Sequence, residues 1–263
     1  HWLESEHRLD NPPVGRISAI CRYVSSLHAE VFKAESVKKP VDFEAMRRFL
    51  CWKPIEVIQK TFACTTQTAK NVMRIPLRRH LKSRFPALNV RRLWEIHCTD
   101  TFFSDVKARD GITCVQLFCG KESHFTSIHG MKTESEMPGT LMDFIRSFGA
   151  MRGLFSDNSK VQTGKAVQDI LRNYAIADSQ CEPYYQNQNP AERRIQEVKA
   201  MTNIVMDRTG SPPELWFLCM EYCVHTLNKL AHRNLEWKTP TEVAFGDTVD
   251  ISECLCFQFF QQV

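Results

Sequence analysis

The stretch LWEIHCTDTFF, residues 93–103, puts Trp94, Ile96, Cys98, Asp100 and Phe102 on one side of an extended strand. A carboxylate is therefore aimed the same way as four apolar or aromatic side chains. Burying such a group is costly unless it meets a cation or hydrogen-bond donors. Asp100 is expected to have either a partner or a task.

Reading onward, Asp110-Gly111 is a turn signal, followed by strand-like ITCVQLF at 112–118 and HFTSIHGM at 124–131. A helix is expected over 134–148, with Leu141, Phe144, Ile145 and Phe148 on one side. Gly149 and Gly153 bracket a break, and LFSDN at 154–158 is a short strand ending at Asp157. A helix near 162–173, a strand near 175–179 and the loop CEPYYQNQNP at 181–190 follow. Next comes a helix with Ile195, Val198, Met201 and Val205 at helical spacing, then a long one over 212–230. Cys254 and Cys256 alternate as along a strand. Three hairpin-type strands followed by helix-strand alternation predict an α/β fold, a mixed sheet flanked by helices.

Glu192 has two readings. With Asn189 as N-cap and Pro190 at the first helical position, it stands where a capping box places its acid. It could equally join Asp100 and Asp157, since in open sheets functional groups gather where strands end and helices begin. Three carboxylates there would repel one another, and divalent cations with hard oxygen preference would relieve this. Spacing alone does not choose, because 30 of the 263 residues are acidic.

The net charge of +4 hides a division. Residues 1–93 carry 18 Lys/Arg against 8 Asp/Glu, and the remainder 16 against 22. Residues 57–94 hold nine basic residues, Arg78, Arg79, Lys82 and Arg84 among them, and not one acid. A solvated helix face normally mixes signs, so this run points to phosphate backbone. The 11 cysteines show no C-x-x-C pair, so no zinc site is visible, and unpaired thiols suit a reducing compartment. No run of about 18 apolar residues occurs, so no membrane partner is expected. The start HWLESEHRLD and the end FQFFQQV read as a piece cut from a larger polypeptide.

The words around the acids carry more than their spacing. HCTDTFF, LFSDN and QNQNPAERRIQEVK resemble the three signature segments of the retroviral-type (DDE) integrase core, and more closely those of copia-type retrotransposon polyproteins. The downstream KTPTEVAFGDTVDIS resembles the segment that follows that core. Ser159 stands where the family often has glycine, and Pro190 follows Asn189 where a glycine is common. The resemblance implies an RNase H-like five-stranded mixed sheet with a basic helical N-terminal extension. It implies Asp100, Asp157 and Glu192 as catalytic metal ligands for two Mg2+ ions, with Mn2+ as the alternative. Gln188, Arg193, Gln196 and Lys199 would touch DNA ends, and Arg78, Arg79, Lys82 and Arg84 the backbone. The implied activity is 3′-end processing and strand transfer of element DNA into target DNA, by a homo-oligomer acting in the nucleus after synthesis in the cytoplasm. The corresponding divisions are 1–56, helical and of unassigned role; 57–92, a basic DNA-binding linker; 93–232, the catalytic core; and 233–263, a C-terminal extension. An RNase H-like nuclease and an inactive nucleic-acid-binding relic are the rival readings.

If residues 57–94 lie along DNA, log affinity should fall with log salt by about 0.9 per neutralised phosphate. Replacing Arg78, Arg79, Lys82 and Arg84 with Ala should flatten that slope by several units in a filter-binding titration. An unchanged slope would make the segment a solvated linker.

Overall fold

A computed structural model describes residues 41–67, 83–157, 164–180 and 190–261. All the described elements belong to the unit Phe43–Val263. The helical reading of 1–40, three of the four basic positions chosen for DNA (Arg78, Arg79 and Lys82), and Gln188 with the Asn189 cap lie outside the described residues.

A short helix α1, Phe43–Met46, and a helix α2, Ile55–Cys64, precede the sheet. The boundary expected at 57 falls inside α2. Strands β1 (Ile96–Phe103), β2 (Cys114–Gly120) and β3 (Thr126–Met131) follow, then α3 (Met137–Phe148), β4 (Gly153–Ser156), α4 (Lys165–Asn173) and β5 (Ala177–Gln180). Two helices then close the core, α5 (Pro190–Thr209) and α6 (Trp216–Leu227), with a short α7 at Pro240–Phe245. The strand order is β3-β2-β1-β4-β5. The pairs β1–β2 and β2–β3 are antiparallel, and β1–β4 and β4–β5 are parallel. This is the RNase H-like arrangement, in which a three-stranded meander is extended by two crossover strands.

Alternation along the strands divides the core. On one face Cys98, Phe102, Val115, Leu117 and Cys119 pack against Ala191, Ile195, Val198, Met201 and Val205 of α5 and the apolar side of α6. On the other, Cys114, Phe118 and Met131 meet Leu141, Phe144 and Ile145 of α3 and Val167 and Leu171 of α4. Strand β2, between β3 and β1, is buried along its whole length.

Two expectations need correction. The helix expected over 212–230 is shorter: Pro213–Leu215 forms a 3-10 turn, since proline supplies no N–H to an α-helical ladder. It ends at Asn228, whose side chain accepts from Thr126 N and donates to Thr126 O instead. Cys254 does not lie on a strand either. Ser252–Leu255 is a 3-10 turn begun by Asp250 Oδ1, which accepts from Ser252 N and Ser252 Oγ, and that local cap outweighs a brief alternation.

Gly149 ends α3 at φ +119, with its N–H donating to Ile145 O. A Cβ there would lie 2.5 Å from Arg91 O, which already accepts from Ala150 N. Backbone cannot give way as a flexible side chain would. Gly149→Ala should therefore lower unfolding free energy by about 2 kcal/mol or more in a denaturant titration. An unchanged midpoint would contradict this reading of the β4 entry.

Candidate active site

The first carboxylate stands mid-strand, not at a strand end as its sequence suggested. Asp100 pairs with Leu117 of β2, yet it has outrun β4, whose last partnership with β1 is Cys98↔Phe155. The sheet splays here, so a core strand becomes a half-exposed edge. Asp157 follows Ser156 at the end of β4. Each aspartate lies two residues beyond the Cys98↔Phe155 pair, on strands running the same way. The register thus sends both acids off the same end of the paired segment, near enough for the Asp157 charge to act on Asp100.

Glu192 comes from the first turn of α5 and is exposed. Ala191 and Ile195, both buried, turn that end of the helix onto β1 and β2. The charges of Asp157 and Glu192 are both felt at Asp100. Burial pushes the Asp100 carboxyl up to about 6, the Thr101 N–H opposes this, and repulsion from Asp157 and Glu192 adds to it. Lys199, two turns along α5, supplies a modest opposing charge, with its ammonium 4.6 Å from the centre of the Phe102 ring. Oxygen-rich and mutually repelling, this donor set fits hard divalent ions.

Not every acid nearby belongs to the cluster. Glu197, one turn beyond Arg193, accepts from Arg194 at 2.7 Å and from Lys53 at 3.0 Å. Burial alone would raise its carboxyl, but those two cations outweigh it and hold it below its usual range. Gln196, Arg193 and Arg84 are exposed. Among the described residues, three potential ligand atoms converge within 4.8 Å at a different place, His225, Glu253 and Cys254. There the Lys229 ammonium also bonds Glu253, making it an ion-pair cluster.

Sequence reasoning passed over Arg194, whose side chain is 5% exposed. The signal was available: Ala191, Arg194, Ile195 and Val198 form one buried stripe at helical spacing. It also passed over Glu95, buried beneath the β2–β3 turn, where it accepts from the backbone N–H groups of Glu122 and Ser123 and from Ser123 Oγ.

No protein-family model matches this chain, and no curated protein matches it. Among solved structures it is similar to the HTLV-2 integrase catalytic core domain in complex with magnesium, with TM-score 0.47 and 19% identity, over 57% of this chain and 95% of that one. It is similar to the BIV integrase catalytic core domain, with TM-score 0.46 and 13% identity, over 58% and 94%. It is also similar to a chain of a simian T-cell lymphotropic virus intasome, with TM-score 0.48 and 16% identity, over 64% and 60%.

The raised Asp100 carboxyl has a stability signature. The folded chain holds that proton more tightly than an unfolded one does near 3.8, so native stability falls as pH rises from about 4 through about 6. Asp100→Asn keeps the acceptor for Thr101 N and removes the charge. Without divalent cations, thermal unfolding should find the variant more stable at pH 7.5 by about 1–2 kcal/mol, after discounting for solvent screening of this half-exposed group. At pH 3.5 the two should coincide. A variant less stable at pH 7.5 but not at pH 3.5 would mean that Asp100 is held by a compensating cation.

Proposed function

We propose that this chain carries the catalytic core of an integrase, a metal-dependent polynucleotidyl transferase, of the kind found in copia-type retrotransposon polyproteins. One observation carries the reading. Asp100 and Asp157 follow the same end of the paired β1–β4 segment, and the charges of both Asp157 and Glu192 reach the half-buried Asp100. The signature words around these acids support integrase over other enzymes of the same fold.

In this reading Asp100, Asp157 and Glu192 would hold divalent cations, two ions of Mg2+ or Mn2+. Bound there, such ions supply charge neutralisation at phosphorus and activation of the attacking oxygen. The chain's own groups do the rest. Asp100, raised to about 6, offers a carboxylate at neutral pH, and a cation bound there would extend that ionised form to lower pH. Lys199 beside it and the exposed Arg193 and Gln196 orient the nucleic-acid strand along α5. Gln188 would join them from the preceding loop, and the basic segment holding Arg78, Arg79, Lys82 and Arg84 would follow the backbone.

Two displacements at phosphorus follow. Water attacks a phosphodiester near the 3′ end of element DNA, forming one P–O bond as another breaks, and a 3′-hydroxyl is freed. That hydroxyl then attacks a target phosphodiester and displaces a new 3′-hydroxyl. Bonds formed equal bonds broken, so no external energy source is required. Joining two element ends to one target calls for more than one copy of the chain, and the target DNA puts the reaction in the nucleus.

Strand transfer with pre-processed ends separates the alternatives. The parent should join DNA in magnesium. Asp157→Asn, which keeps shape and loses charge, should lose both end processing and strand transfer by at least about 100-fold while retaining DNA binding. Cleavage without joining by the parent would indicate a nuclease, and binding alone would indicate a relic. Substantial joining by Asp157→Asn would remove that residue from the ligand set.

A further inference from the structure

We propose that a cationic cavity on the flank of α5, lined by His124, Arg193, Arg194 and His232, binds a backbone phosphate of the nucleic-acid strand that occupies the three acids. Four segments far apart in sequence build it: the end of β2, the β2–β3 turn, the first turns of α5 and the turn after α6. Its volume is about 320 Å³, roughly ten times the share of one water, enough for a phosphate with part of its sugar.

The charge balance calls for an anion. Glu197 is the one carboxylate among the described lining residues, and both Arg194 and Lys53 already bond it. Arg194 is nonetheless a buried guanidinium, so its positive charge is poorly screened by water. The imidazoles of His124 and His232 face each other with centroids 5.0 Å apart. Burial lowers both, and Arg194 lowers both further. For His124 the opposing carboxylates are Glu95 and Glu197, and His232 adds to the lowering. For His232 the opposing carboxylate is Glu197, and Lys53 adds to the lowering. In neither case do the carboxylates prevail. Two neutral imidazoles are thus held beside a fixed cation, each able to donate one N–H, and both gain protons if an oxyanion enters.

The cavity is built rather than incidental. His124 sits at φ +58, a conformation uncommon for a side-chain-bearing residue, in the turn that Glu95 pins from below. His232 Nδ1 accepts from Asn234 N, which orients its ring. The cavity shares the start of α5 with the acids, since Arg193 and Arg194 of its lining follow Glu192 directly. Pro190 lines both it and a second cavity of about 440 Å³ that runs over Cys98 and Phe155, the two residues from which Asp100 and Asp157 project onward. Glu192 and Arg194 leave α5 on different sides of its first turn, with the exposed Arg193 between them in sequence, and the strand would run from one to the other past Arg193. Assigning the phosphate to nucleic acid rests on the proposed function, whereas the anion site itself stands on this geometry.

The test uses the full chain labelled with nitrogen-15 in histidine, without divalent cation, so nothing is cleaved and the acids are not engaged. Ring signals of His124 and His232 are followed while inorganic phosphate, dimethyl phosphate or a short single-stranded oligonucleotide is added. We expect shifts with dimethyl phosphate and with the oligonucleotide, and protonation of both rings at higher pH than in the free protein. Oligonucleotide affinity should rise about tenfold between pH 8 and pH 6, the worth of one charge-assisted contact, and the paired substitution His124→Gln with His232→Gln should abolish that gain. The same variant should lower the salt slope by about 0.7, one single-strand phosphate. Circular dichroism and the unfolding midpoint check that the variant is folded; if it is not, His232→Gln alone must lose half the effect or more. Shifts with inorganic phosphate only would overturn the backbone contact, and rings silent to all three would overturn the site. Responsive rings in a protein that never joins DNA would sink the proposed function and leave the anion site standing.

Discussion

Three parallel residue pairs between β1 and β4, Ile96↔Gly153, His97↔Leu154 and Cys98↔Phe155, are the constraint on which the site depends. A parallel pairing has no turn to set its register, so side-chain fit must do so. Gly153 allows close approach: a Cβ there would lie 3.3 Å from Ala177 O on the neighbouring strand. Leu154 is buried against the α3–α4 layer and Phe155 packs on the α5 side. A slip of one residue would exchange those faces and carry Asp157 away from Asp100. Burial of Asp100 disfavours its charge, and the charges of Asp157 and Glu192 add to that cost. Apolar packing on both faces of the sheet offsets that repulsion.

Much of this was legible in the chain. Alternation in 93–103 marked the strand and the inward carboxylate, and helical spacing in 190–205 marked the face of α5 that packs on it. The turn at Asp110-Gly111 and the break at Gly149 fell where local backbone geometry requires them, with Gly111 at φ +86 and Gly149 at φ +119. What escaped was non-local. That Asp100 is mid-strand depends on how far β4 accompanies β1, and residues 96–103 carry no mark of where a partner stops. The alternation of Cys254 and Cys256 was too brief to tell a strand from a 3-10 turn, and the Asp250 cap decided the matter. The cavity beside Arg194 draws on His124 and His232, which topology brings together and no motif links. Arg194 itself was the readable part, a charge in an apolar stripe.

The helix α5 holds these features in fixed relation. Its 20 residues give a rod about 30 Å long. Glu192, Arg194, Glu197 and Lys199 leave it within two turns, and Ile195 and Val198 between them are buried against the sheet. The acids and the cationic cavity therefore share one support, and the ion pair of Glu197 with Lys53 fastens that support to the segment before α2.

That segment is itself closed over the far end of the chain. Leu50 and Ile58 share a buried cluster with Leu230 and Cys254, Thr66 pairs with Asp250 in an isolated bridge, and Thr61 Oγ1 accepts from Ala231 N. During synthesis from the N-terminus, α2 emerges long before the residues that cover it. Closing so large a loop is entropically slow compared with forming the β1–β2–β3 meander. Ile58 thus depends for its burial on residues 230–254, whereas the β1–β2–β3 meander closes within its own 36 residues, from Ile96 to Met131, so this clasp is the contact of highest loop-closure cost among the described residues.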